Sequence, residues 1–292
     1  MKREGEARRS GSPGPTAGAV TRRRLLIVAA AAGGLGLARG CLHEGATVAA
    51  GSEGGVRPAP VRERVPPEIR LPTLTENGAK VPIVVKVDHP MDTGHHVTSI
   101  AVINERDPLP GKGEFIFSAA NGQAYVAFQA RLDDGPSTVR ANVECSQGTR
   151  WTGVGTTRVV DGAGGCGGAA PPHDRVSAEI RPPVIRLPRL SRGERIDAGQ
   201  VIDVQVVMQH PVRTGLERRG DAWIQVSEPF YVTELAVFLG ADRVSYFRLT
   251  PAVSDNPLIT FRLRPRVESV LHIVVRNNQS ARFEAEHPIR FG

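Results

Sequence analysis

The chain has 292 residues, of which 37 are Lys or Arg and 30 are Asp or Glu, giving a formal charge of +7. Residues 1–40 hold eight of the basic and two of the acidic side chains, so the rest of the chain is close to neutral. This distribution argues against a strongly basic, nucleic-acid-binding face on the folded part. At roughly 100 to 200 residues per domain, the length after this segment predicts two small domains.

The N-terminus has the pattern of an export signal. Three arginines, Arg22 to Arg24, precede an uncharged apolar run from Leu25 to Ala38. That run is too short for a membrane-spanning helix, which needs about 20 residues, but it suits the apolar region of a signal peptide. The adjacent arginines and the mild hydrophobicity resemble a twin-arginine signal, which exports folded proteins. We therefore predict that residues 1–40 are a twin-arginine signal peptide and that the mature protein is periplasmic, with an uncleaved membrane anchor as the alternative.

The mature chain is predicted to begin near Cys41. Small residues before it fit cleavage by a signal peptidase, and the same stretch approximates a lipoprotein box, in which Cys41 would carry a lipid. Arg39 departs from that box, so lipidation is the weaker alternative. Residues 41–64 are rich in Gly, Ala, Pro and charged residues without a sustained period, which indicates a flexible spacer.

An internal repeat organises the remainder of the chain. The sequence Ile-Arg-Leu-Pro at 69–72 returns at 185–188, and the His-Pro and Thr-Gly pairs within 89–94 return within 210–215. Two matches in the same order indicate a duplicated domain of about 100 residues. The repeat therefore predicts two similar globular units within one chain.

Both units have the alternation of β-strands. Apolar residues recur at every second position in runs such as 81–87, 139–145 and 259–263, and turn signals follow about every ten residues. We predict an all-β protein of two Ig-like or fibronectin-III-like antiparallel β-sandwich domains in tandem, with about seven strands each. The predicted segments are a signal peptide 1–40, a spacer 41–64, a first sandwich 65–160, a glycine-rich arm and linker 161–182, and a second sandwich 183–292.

The glycine-rich segment 161–182, called the carrier arm below, contains Cys166. Two glycines flank this cysteine on each side: Gly164, Gly165, Gly167 and Gly168. Because glycine restricts the backbone least, we expect a mobile arm with an exposed sulfur, and no neighbour in sequence is placed to activate it strongly. The expected pKa of this thiol is therefore ordinary, about 8.5. The pattern favours a thiol on which partner enzymes act; an incidental linker cysteine and a disulfide with Cys145 are the alternatives.

These motifs together resemble the SoxY and SoxZ families of bacterial thiosulfate oxidation. The pentapeptide 164–168, at the end of a predicted β-sandwich that follows a twin-arginine signal, resembles the sulfur-carrier subunit SoxY. The second unit resembles SoxZ through residues 185–188, 210–215 and 249–257. The resemblance covers about residues 65–290 and implies a SoxY–SoxZ fusion. Because the family pairs SoxY with SoxZ, it also implies that the two units, 65–160 and 183–292, pack together within one chain.

The resemblance implies a carrier protein and not an enzyme. Cys166 would be the site of covalent substrate attachment, with no cofactor and no metal. The implied partners are periplasmic Sox enzymes: the c-type cytochrome SoxAX, the hydrolase SoxB and the dehydrogenase SoxCD. The chain departs from the family in one respect, because the family's arm is a C-terminus and this arm continues for about 120 residues into the second unit.

Three other functions remain open at this stage. The first is a fused SoxYZ-like carrier associated with a quinoprotein dehydrogenase, which is a variant of the carrier hypothesis. A non-catalytic Ig-like structural or interaction module would treat Cys166 as incidental. A thiol redox protein would need a resolving cysteine beside Cys166, and the sequence has none within three residues.

A group of histidines and aspartates contains residue types that can bind a metal ion. His89, His95 and His96 lie with Asp88 and Asp92 in one short stretch, but Pro90 and Gly94 within it indicate a turn. We therefore predict a structural turn and no metal there. Cys145 lies in the apolar phase of its strand, which predicts that it packs in the core.

Overall fold

The computed structural model describes residues 65–160, 165–167 and 180–292. The predicted signal peptide and spacer, including Cys41, lie outside the described residues, as do Gly164 and Gly168. No helix within the described ranges is long and apolar enough to cross a membrane. All of the described residues belong to one compact unit by their internal contacts.

The first half of the fold, residues 65–160, consists of short antiparallel strands. Two single-turn 3₁₀ helices, Gly78–Lys80 and Ala119–Asn121, interrupt them. The strands are β1 (Glu68–Arg70), β2 (Leu74–Thr75), β3 (Val81–Val87), β4 (Val97–Ile103), β5 (Gly111–Phe117), β6 (Ala124–Ala130), β7 (Gly135–Cys145) and β8 (Arg150–Val159).

The second half, residues 180–292, repeats this pattern and contains one short helix, α1 (Pro188–Ser191). Its strands are β9 (Arg181–Arg186), β10 (Ile202–Gln209), β11 (Leu216–Arg219), β12 (Ala222–Gln225), β13 (Val232–Leu239), β14 (Asp242–Leu249), β15 (Leu258–Leu263), β16 (Ser269–Asn277) and β17 (Arg282–Ile289). Seven of them are sandwich strands, and β11 and β12 form a separate hairpin. The all-β prediction is confirmed.

The apolar residues that alternate in the sequence form the buried, inward face of each strand. In β3, the side chains at Val81, Ile83, Val85 and Val87 are at most 1% exposed, while the residues between them are partly or fully exposed. The same alternation holds in β6 and β15. Each buried aliphatic or aromatic side chain contributes about 1.5–3 kcal/mol relative to an exposed one, so this pattern accounts for the layering of the fold.

The two halves share both of their sheets. One sheet has the order β1-β3-β6-β15-β10-β9, and the other has the order β17-β16-β13-β14-β5-β4-β7-β8-β2. The boundary between the halves is therefore crossed twice by antiparallel pairing, at β6 with β15 and at β5 with β14. Corresponding strands of the repeat lie on opposite sides of this boundary, for example β1 and β9 at the two edges of the smaller sheet.

A phenylalanine cluster fills the interior at the same boundary. Phe115 of the first half lies 5.3 Å from Phe247 of the second half, measured between ring centroids, and Phe247 lies 5.3 Å from Phe261. Such tilted and edge-to-face ring pairs add about 0.5–1.5 kcal/mol each beyond their buried area. The expected packing of the two units within one chain is therefore observed, as a continuous core joined by hydrogen-bonded sheets.

Candidate functional site

Cys166 lies against the fold and not in solvent. It follows the last strand of the first half, and its exposed fraction is 0%. Gly165 is buried beside it, and Gly167 is partly buried. The expectation of an exposed sulfur is therefore wrong for this structure, because residues 165–167 pack against Gly78, Leu132 and Arg131 instead of extending into solvent. We call this position of residues 165–167 the docked arm.

Two glycines allow the docked arm to approach this closely. A Cβ built on Gly165 would lie 2.1 Å from the carbonyl carbon of Gly78 and 2.3 Å from the carbonyl oxygen of Leu132. A Cβ on Gly78 would lie 2.7 Å from the same Leu132 oxygen. Backbone atoms cannot yield as a flexible side chain can, so both positions need glycine. The glycine at position 165 therefore lets the arm backbone pack directly on the backbone of Gly78 and Leu132, in addition to the flexibility inferred from the sequence.

Arg131 binds the docked arm from the side of the first half. Its Nη1 donates to the carbonyl oxygens of Gly165 and Gly167, both at 3.4 Å, and its Nη2 donates to the carbonyl oxygen of Val212 at 3.1 Å. Asp255 pairs with the same guanidinium at 3.3 Å. Because Val212 and Asp255 belong to the second half, Arg131 ties the arm to both halves at once.

A buried ion pair lies next to Arg131. The Lys112 ammonium is 0% exposed and lies 2.5 Å from a carboxylate oxygen of Asp107, which is 3% exposed. Lys112 also donates to the carbonyl oxygens of Leu109 and Arg131, both at 2.8 Å. Lys112 was not among the site residues predicted from the sequence. Its position between two glycines in the β5 run, where an apolar residue is normal, is the signal that could have identified it.

Burial raises the pKa of the Cys166 thiol to about 12. Desolvation is the largest cause, and the carboxylates of Asp107 and Asp133 add to it, while the cations of Lys112 and Arg131 act in the opposite direction. The expected pKa of about 8.5 is therefore wrong for the docked position. A thiol with this pKa stays protonated at neutral pH, so the docked sulfur is a poor nucleophile.

The two described cysteines are both free thiols. Cys145 is 3% exposed, which confirms its predicted place in the core. It ends β7, whereas Cys166 lies near the beginning of that strand, beside Leu132. At about 3.3 Å per residue, the eleven residues of β7 separate the two ends by roughly 33 Å, so the alternative of a disulfide between the two cysteines does not fit this structure.

The predicted turn of residues 88–96 forms between β3 and β4. The backbone amides of Asp92 and His95 donate to each other's carbonyl oxygens, at 3.0 and 3.1 Å. The structure also brings His89 and His95 next to Cys145, which the sequence analysis had not connected with them.

Two family models match the chain. The model of sulfur oxidation protein SoxY matches residues 58–166, and the model of sulphur oxidation protein SoxZ matches residues 192–288. The chain is a fusion of a SoxY domain and a SoxZ domain. The resemblance inferred from the motifs is thereby confirmed, and the two domains support a role in sulfur oxidation by the Sox system. The SoxY match ends at Cys166, the residue buried at the boundary with the SoxZ half.

Solved structures match at low similarity. Superoxide reductase (neelaredoxin) from Ignicoccus hospitalis is 18% identical with a TM-score of 0.29, over 40% of this chain and 91% of that chain. A putative superoxide reductase from Thermotoga maritima is 25% identical with a TM-score of 0.30, over 34% and 89%. Fibronectin(III)-like modules of CbhA from Clostridium thermocellum are 10% identical with a TM-score of 0.22, over 77% and 94%. These scores are too low to carry an argument about function. No curated protein matches the chain.

Proposed function

We propose that this SoxY–SoxZ fusion is a periplasmic carrier that holds thiosulfate-derived sulfur covalently on the thiol of Cys166. The observation that carries the proposal is the position of Cys166, at the end of the SoxY match and at the boundary of the two halves. The carrier would be the covalent substrate of partner Sox enzymes and not a catalyst. The partners proposed are the cytochrome SoxAX, the hydrolase SoxB and the dehydrogenase SoxCD.

Loading would join the Cys166 sulfur to the outer sulfur of thiosulfate. The thiol gives up its proton, and two electrons leave as the S–S bond forms. A c-type cytochrome partner would accept the electrons. The product is a thiosulfonate adduct that carries one negative charge, so the cargo differs in charge from the neutral thiol that is docked in this structure.

The docked arm would represent the unloaded carrier. Lys112 and Arg131, the two cations whose charges act on the Cys166 thiol, are already paired with Asp107 and Asp255, so an added negative charge would have to compete with those carboxylates. Burying an unpaired charge is costly, and we expect an anionic adduct to favour an undocked arm. The empty thiol would then be shielded, and the loaded sulfur would be presented to partner enzymes.

Replacement of the thiol tests this function. We expect Cys166→Ser to abolish thiosulfate oxidation in a Sox-dependent host while leaving the melting temperature nearly unchanged, because serine is close to cysteine in size. Cys145→Ser is the matched control at the other buried thiol of the described residues. Provided that this variant folds, it should retain thiosulfate oxidation. Full activity of the Cys166→Ser strain would overturn the carrier proposal and favour an incidental linker cysteine.

A further inference from the structure

A second group of metal-binding side chains lies at the opposite end of β7 from Cys166. His89 and His95 belong to the loop between β3 and β4, and Cys145 is the last residue of β7. One candidate donor atom from each residue, two imidazole nitrogens and one thiol sulfur, lies within 4.8 Å of the others. The three residues come from two separate parts of the chain, so the fold, and not a local sequence motif, brings them together.

Backbone pairing holds the two segments together. Val97 is paired with Cys145 in the ladder of β4 and β7. Beyond the ladder, the Ser146 amide donates to the carbonyl oxygen of His96 at 2.8 Å, and the His96 amide donates to the Ser146 hydroxyl at 3.1 Å. The loop is therefore fastened to the turn after β7 by direct hydrogen bonds, and the donor atoms are brought together before any ligand binds.

The rings of the two histidines are also held in place. His89 stacks on Trp151 with centroids 5.4 Å apart, and it meets His95 edge to face at 4.4 Å. The Nδ1 of His89 lies 2.8 Å from the carbonyl oxygen of Pro90. A carbonyl can only accept, so Nδ1 carries the proton in this contact. A hydrogen bond of this kind is the usual orienting contact of a metal-binding histidine.

We propose that His89, His95 and Cys145 form a binding site for a thiophilic first-row metal ion such as Zn²⁺. In tetrahedral zinc sites, Zn–S is about 2.3 Å and Zn–N is about 2.0–2.1 Å, which puts donor atoms about 3.4–3.6 Å apart. The observed group needs only side-chain adjustments of about an ångström to reach those separations. One thiolate and two imidazoles match the ligand preferences of zinc and copper, and not those of magnesium or calcium.

The proposed site is independent of the carrier thiol. The distance along β7 separates it from Cys166 by roughly 33 Å, and its three protein ligands leave one coordination position for water or a small anion. A bound ion would cross-link the loop between β3 and β4 to the turn after β7. The structural turn predicted from the sequence would then also be a ligand-bearing turn.

Cobalt binding tests the site, because Co²⁺ takes the place of Zn²⁺ and reports thiolate ligation by its absorption. We expect the full chain, freed of metal, to bind Co²⁺ with a thiolate-to-cobalt charge-transfer band and tetrahedral visible bands that Zn²⁺ abolishes in competition. Cys145→Ser should remove the charge-transfer band. His95→Ala should weaken binding at least as much as the roughly 10- to 100-fold cost of losing an orienting partner.

Two variants serve as controls. Cys166→Ser should leave the spectrum unchanged. His287→Ala should do the same, although His287 has the same 2.8 Å contact from Nδ1 to the carbonyl oxygen of the following proline as His89. Absence of a thiolate band in the full chain, or a band that survives Cys145→Ser and disappears with Cys166→Ser, would overturn the proposal. Because His95 is only partly buried, His95→Ala keeps the test decisive if Cys145→Ser fails to fold.

Discussion

Replacement of Gly165 by alanine should release the docked arm. The added Cβ would lie 2.1 and 2.3 Å from backbone atoms of Gly78 and 2.3 Å from the carbonyl oxygen of Leu132, distances that side-chain movement cannot relieve. Undocking would also break the hydrogen bonds from Arg131 to Gly165 and Gly167. Because residues 165–167 belong to no strand, we expect the variant to fold normally and to expose Cys166.

The size of the effect follows from the thiol pKa. Docking raises it from 9.0 to about 12, so the thiolate fraction at pH 8 rises about 1000-fold when the arm is free. Three pKa units correspond to about 4 kcal/mol of preference for docking the protonated thiol. This preference is complete below about pH 9 and is lost as the pH rises toward 12, because the pKa is higher in the docked state.

Site-specific alkylation measures this difference. We expect iodoacetamide to label Cys166 in Gly165→Ala up to about 1000-fold faster than in the unaltered chain at pH 8, with labelling read from the Cys166 peptide by mass. The variant's rate should level off near pH 9, while that of the unaltered chain keeps rising. Gly94→Ala is the control, since a Cβ there meets nothing within 4 Å. Equal labelling rates in Gly165→Ala and the unaltered chain would refute the steric argument.

Three further predictions concern the ion pair, the cargo and export. Lys112→Met should lower the free energy of unfolding, measured by urea denaturation, by about 3–5 kcal/mol, because it leaves Asp107 buried without its cation. Adding Asp107→Leu should recover part of that loss. A loss under about 1 kcal/mol would contradict this prediction. An anionic sulfonatoethylthio adduct on Cys166 should speed hydrogen exchange at residues 165–167 more than a neutral methylthio adduct does, and equal exchange would exclude the charge argument. Replacing Arg22, Arg23 and Arg24 together by Lys should block export in cell fractionation, whereas normal export would rule out the twin-arginine route.

The strands could be predicted because their signal is local. Alternation in β3, β7 and β15 is a property of a few consecutive residues, and the repeat at 69–72 and 185–188 already indicated two equivalent halves. The sharing of both sheets could not be predicted in the same way. It depends on which strand edges meet, β5 with β14 and β6 with β15, and nothing local in either strand specifies a partner so distant in the chain.

The site shows the same division. Cys166 could be selected from its glycine neighbours alone, but its burial depends on the close approach of Gly165 to Gly78 and on the hydrogen bonds from Arg131. A run of glycines predicts a flexible backbone from sequence alone, whether or not the fold provides a surface on which that backbone can pack.

The histidine group is a second case of the same limit. The turn containing His89 and His95 and the core position of Cys145 were each predicted correctly. Their proximity arises from the register of β4 against β7, which the local pattern of either segment does not reveal. In the sequence these three residues are therefore separate features, and only the fold brings them together.

The mass of the Cys166 peptide from the chain isolated from thiosulfate-oxidising cells tests the carrier proposal most directly. We predict thiosulfonate, sulfane or polysulfide additions on Cys166 that a thiol reductant removes, and an unmodified Cys145 peptide in the same digest. A Cys166 peptide that carries no sulfur under active thiosulfate oxidation, or that carries only a disulfide to Cys145, would contradict the account.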